Sequence, residues 1–191
     1  MNEMIDFVTS GFWHILHKKS HLLLAFLLLL FLKIDLKNWT KIGIIILLFT
    51  TAFFFSLMLK TYQMINLQVP YTYPIMLFGI LLIGILNYFE LFKKSKYLAH
   101  ILAFVLGLIQ GLRPLGVLGI HIKQTSIKVF SALATSIGIF GGLLLFAILS
   151  LLAIVIIQLF SKVNRKNTCN VLNALLVMYS IYAIINYYHL F

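Results

Sequence analysis

A chain of 191 residues could bury a core of its own, but 62% of this one is hydrophobic, 10% is charged and its mean hydropathy is +1.07. Such long unbroken apolar runs exclude an ordinary soluble domain and imply segments that cross a bilayer. The net charge of +11 comes from fifteen Lys and Arg against four Asp and Glu. The basic residues lie in short stretches between apolar runs, where they orient helices, so nucleic acid is not needed to explain them.

Residues 1–13 read as a short amphipathic lead-in, without the basic start and cleavage site of a signal peptide, so the first helix is expected to stay in place. A first span is expected at about residues 14–32, followed by a loop with Lys33, Lys37 and Lys41 and an interfacial Trp39. Further spans are predicted at about 42–59, 71–92, 97–112, 129–160 and 169–190. Pro74 is expected in the first turn of the third, where a missing N–H costs little. Glu90 stands four residues before Lys94, a favourable order for a helix-end ion pair. The fifth run is thirty-two residues without a charge, longer than one straight span; it tilts, extends past the bilayer or bends near Gly141 and Gly142.

The reading is therefore an all-α polytopic transmembrane helical bundle of about six membrane-spanning helices. It forms a single integral membrane domain over residues 1–191; the period-two alternation of barrel strands is absent. Loops after spans one, three and five hold Lys33, Lys37, Lys41, Lys93, Lys94, Lys96, Lys162, Arg165 and Lys166. The opposite side holds Lys18, Lys19, Lys60, Arg113, Lys123 and Lys128. The bias places the first set in the cytoplasm and both termini outside. The single cysteine, Cys169, permits no internal disulfide.

His14, His17 and His21 fall at i, i+3 and i+7 before the first apolar run and on a helix would share one face at its outer mouth, a candidate metal site. Lys18 and Lys19 stand among them and oppose a dication, and Glu3, Asp6, Asp35 and Glu90 all sit at ends or in loops. The residues therefore favour interfacial or packing histidines over a working metal site. Gln110 and Asn87 are candidate buried polar groups for hydrogen bonds between helices. Gly107, Gly111, Gly138, Gly141 and Gly142 form small-residue patterns that let helices approach closely. His100, His121 and His189 are single histidines near span ends. No cofactor is implied, and no Asp pair, Ser-His-acid set or HExxH motif suggests an enzyme.

GFWHILHKKSHLLLAF, LFTTAFFFSLML, GILLIGILNYF, AFVLGLIQGL and TSIGIFGGLL follow one another in the order and spacing of the HupE/UreJ family, which this chain resembles. The resemblance implies a small membrane permease for nickel or a related divalent transition metal, in a bacterial inner (cytoplasmic) membrane. His14 and His21 match the family's two N-terminal histidines. The departures run through the polar positions: Lys18 for a glycine, Ser20 for an aspartate, Phe53 and Gln110 for histidines, Phe140 for a glutamate and Leu143 for a glutamine. Gly107, Gly111, Gly138 and Gly142 are kept. The expected function is a non-transporting accessory or structural subunit of a membrane complex, in contact with lipid and with another membrane protein. The alternative is a permease working through His14, His17 and His21.

Overall fold

A computed structural model describes residues 2–16, 39–65, 69–91, 95, 97–112, 128–161 and 164–189. Among these residues the chain forms six helices and no strand: α1 (Asn2–Leu16), α2 (Trp39–Thr61), α3 (Val69–Tyr88), α4 (Leu98–Leu112), α5 (Lys128–Ser161) and α6 (Arg165–His189). By length and composition three stretches can cross a membrane, Thr40–Thr61, Lys128–Ile157 and Lys166–Tyr187; Pro74–Tyr88 and Leu98–Leu112 are shorter apolar helices. The fold is a helical membrane bundle.

Helix ends follow local chemistry. Asn164 caps α6, its side-chain Oδ1 accepting from the Lys166 N–H at 3.2 Å. α2 stops at a left-handed residue, Gln63 (φ 59°), where Met64 N donates to Leu59 O and Gln63 N to Lys60 O. That is the hydrogen-bond pattern in which glycine usually sits. Glu90 (φ 55°) turns the chain the same way after α3. α3 begins two residues earlier than expected, so Pro74 lies in its second turn and withholds a hydrogen bond from the Pro70 carbonyl.

The residues read as a lead-in belong instead to α1, whose glycine face packs on α5; the remainder of the expected first span lies outside the described residues. α5 is one unbroken helix of 34 residues, about 51 Å long, continuous through Gly141 and Gly142. The helices associate as pairs: α2 with α4, α1 with α5 and α3 with α6. α2 also lies on α5 and so sits in the middle. Its buried face, Ile42, Ile45, Ile46, Phe49, Phe53 and Leu57, follows the helical repeat and makes much of the core.

Candidate functional site

Each pair closes on glycine. A Cβ at Gly107 would overlap the Phe49 carbonyl, and one at Gly111 would overlap Ser56 Oγ and the Phe53 carbonyl. The matching order, 107 near 49 and 111 near 53 to 57, makes α2 and α4 parallel. Lys60, at the end of α2, consequently reaches the last turn of α4 and donates from Nζ to Leu112 O at 2.6 Å. Gly11 lies on the backbone of Thr135, and Gly138 on Val8 O and Phe12 N. Gly141 meets only the Phe12 ring at ordinary distance and Gly142 is buried. The α5 glycine at 138 thus faces α1, inside the protein, and offers nothing to a partner.

α3 and α6 meet through amides as well as a glycine. Asn173 Nδ2 donates to Gly84 O at 3.0 Å, and Asn87 Nδ2 donates to Asn173 Oδ1 at 3.4 Å, while Gly84 itself lies against Val177. Residues 84 and 87 face 177 and 173, so this pair is antiparallel. Asn87 was legible as a buried polar group. Asn173, its counterpart, was not singled out from sequence, although an amide inside an apolar run was signal enough.

Gln110 is 3% exposed, in the turn between the two α4 glycines, and its Oε1 accepts no hydrogen bond among the described residues. Phe53 is 1% exposed. Leu143 is fully buried and Phe140 packs against the same core. Phe140 and Phe54 line a cleft of about 300 Å³ between α2 and α5, with Leu47, Thr50, Thr51, Leu133, Ser136 and Ile137 as its other walls. The hydroxyls there are spent within their own helices: Thr50 donates to Ile46 O, Thr51 to Leu47 O at 2.8 Å and Ser136 to Ala132 O at 2.8 Å. What they present to the cleft is largely apolar, poorly suited to a hydrated dication.

His14 is in the last turn of α1, half-buried and in contact with a polar or aromatic partner. His17 and His21, with Lys18 and Lys19, lie outside the described residues, as do Lys94 and His121. Among the described residues no three His, Cys, Asp or Glu side chains converge as metal ligands. Phe53, Phe140 and Leu143 thus belong to one core, and of the three N-terminal histidines only His14 is among the described residues.

No curated protein and no solved structure matches the chain. A family model described as HupE / UreJ protein matches residues 1–190, essentially the whole sequence. With its helical bundle and bilayer-length apolar helices, the chain belongs to the HupE/UreJ family, membrane proteins of the nickel/cobalt permease type.

Proposed function

We propose that this protein is a HupE/UreJ bundle that has exchanged its metal-handling interior for an apolar one and serves as a non-transporting subunit of a membrane complex. The observation that carries the reading is the filling of the interior. Phe53 and Leu143 are fully buried and Phe140 packs beside them, at positions that the family resemblance assigns to polar groups. An imidazole or carboxylate lost from one helix is drift. Aromatic or aliphatic replacements on α2 and α5, and an amide on α4, with the packing glycines retained, describe a scaffold kept for its shape. The reading includes residence in a bacterial inner membrane, with the Lys- and Arg-rich stretches before α2, α4 and α6 in the cytoplasm and the C-terminus outside, from the distribution of Lys and Arg; α1 runs antiparallel to α5, the reverse of a first span entered from outside.

The test is elemental analysis of tag-free protein purified in mild detergent, with the co-purifying proteins identified on the same sample. The expected result is no stoichiometric nickel, cobalt or zinc and one other membrane protein in fixed ratio. A stoichiometric metal lost in His14→Ala/His21→Ala overturns the reading and establishes the second one, a permease that works through His14, His17 and His21. Family membership is what favours that second reading.

A further inference from the structure

The direction of each described helix follows from its contacts and its connections. α2 and α4 run parallel, with Gly107 on Phe49 and Gly111 on Phe53. Residues 62–68 and 89–97 join α3 to them, connections short enough to turn back at the same end, so α3 runs against both. α6 runs against α3, with Gly84 on Val177 and Asn87 on Asn173, and therefore runs with α2. Only residues 162–164 separate α5 from α6, so α5 runs against α6 and against α2. α1 in turn runs against α5, with Val8 at Gly138 and Gly11 at Thr135. The two reversals leave α1 pointing the same way as α2.

Consecutive helices that point the same way need a connection as long as the bundle. Leu16, the end of α1, and Trp39, the start of α2, lie at opposite ends of it. α1 is not an appendage on the surface. Thr135 and Gly138, on which it rests, fall within the apolar span Lys128–Ile157, and its Phe7 packs against the core. Residues 17–38 lie outside the described residues, but their number and their charges suit a crossing. As a helix they would reach about 33 Å, close to the length of α2. Lys18 and Lys19 stand toward one end, Lys33 and Lys37 toward the other, and no charge falls from Ser20 to Leu32.

We propose that the Asn2 end of α1 lies in the cytoplasm, on the side of the α5–α6 turn and opposite the C-terminus, and that residues 17–38 return the chain across the bilayer. With α1, which is as long as α4, the chain then makes seven passes, and the expected side of the N-terminus is reversed. Counting Lys and Arg does not reach this result. A single first span over residues 14–32 puts Lys18 and Lys19 outside, and so does α1 rising to meet them. The two arrangements differ in where residues 1–13 go, and the seat of α1 on α5 decides between them. The inference is independent of whether the chain transports metal or accompanies another protein.

The experiment adds one epitope tag to the full chain, before Met1 or after Phe191, and measures antibody binding to spheroplasts, intact and permeabilised. The expected result is full binding of the C-terminal tag on intact spheroplasts and binding of the N-terminal tag that rises several-fold on permeabilisation. Two tags both reached on intact spheroplasts, or both reached only after permeabilisation, overturn the inference, because the chain then crosses an even number of times. An N-terminal tag reached on intact spheroplasts and a C-terminal tag that is not would support the return of the chain through residues 17–38 and overturn the cytoplasmic side, together with the orientation read from Lys and Arg.

Discussion

The α2–α4 seam and the α3–α6 seam solve one problem with different chemistry. In the first, Gly107 and Gly111 let the α4 backbone rest on the carbonyls of Phe49 and Phe53, and backbone fit carries the seam, with Ser56 Oγ reaching Gly107 O at 3.5 Å and Lys60 bonding Leu112 O at its end. In the second, Gly84 opens the space but the amides of Asn87 and Asn173 fill it with hydrogen bonds. In a bilayer no hydrophobic force draws helices to one another, so association rests on van der Waals fit and interhelical hydrogen bonds. The contrast teaches which seam has a tolerance. A backbone carbonyl cannot retreat from an added side chain, whereas an amide pair can be lost and its helices still touch.

The seams can be broken in order of severity. Gly111→Leu drives a side chain into Phe53 O and Ser56, and the loss of stability in detergent is expected to reach about 3 kcal/mol or more, the upper range for overpacking. Thermal unfolding of the purified variant measures it, and a shift no larger than that of an exposed control would remove the fit argument. Gly138→Leu attacks the same kind of contact in the α1–α5 pair, at about 1–3 kcal/mol. Because only α1 is displaced, a cysteine placed at Val8 should become reactive to a thiol reagent while α2–α4 stays intact. Partner release without that exposure would contradict the inward direction of Gly138.

Asn173→Leu removes the amide of the second seam and should cost only about 0.6–1.7 kcal/mol, the range measured for interhelical hydrogen bonds in membranes. A loss as large as that of Gly111→Leu would show that the α3–α6 pair depends on its polar contact after all. The smallest effect lies outside both seams. Gln63 is left-handed at the end of α2, and Gln63→Gly should add about 0.5–1 kcal/mol, the left-handed penalty less the extra chain entropy of glycine. No gain in melting temperature would count against a strained turn there.

Much of the bundle could be read in advance. Runs such as residues 42–59 and 129–160 announce helices by length, and α2, α4, α5 and α6 are helical over nearly the residues where helices were expected. Among the described residues Lys41, Lys60, Lys128, Arg165 and Lys166 all fall in the first or last turn of a helix, because charge is expelled from hydrocarbon whatever the fold. The glycines at 107, 111 and 138 could be named as packing residues, but not the helix each one meets. Nor could the reach of α1: Gly11 in a segment that looked like a lead-in proved to be the point at which that helix rests on Thr135.

What the sequence determined by itself is therefore the helices, their membrane setting and the family, since these depend on composition along the chain and on motifs in order. Which faces meet was decided only by the tertiary structure. In water an apolar stripe reveals the buried face of a helix, because the other face must be polar. In lipid both faces are apolar, and the Phe49 side of α2 is hardly distinguishable in composition from the Leu47 side. The difference between a face turned to protein and one turned to lipid lies in shape, in a glycine opposite a carbonyl or an amide opposite an amide, and shape exists only when two helices are placed together.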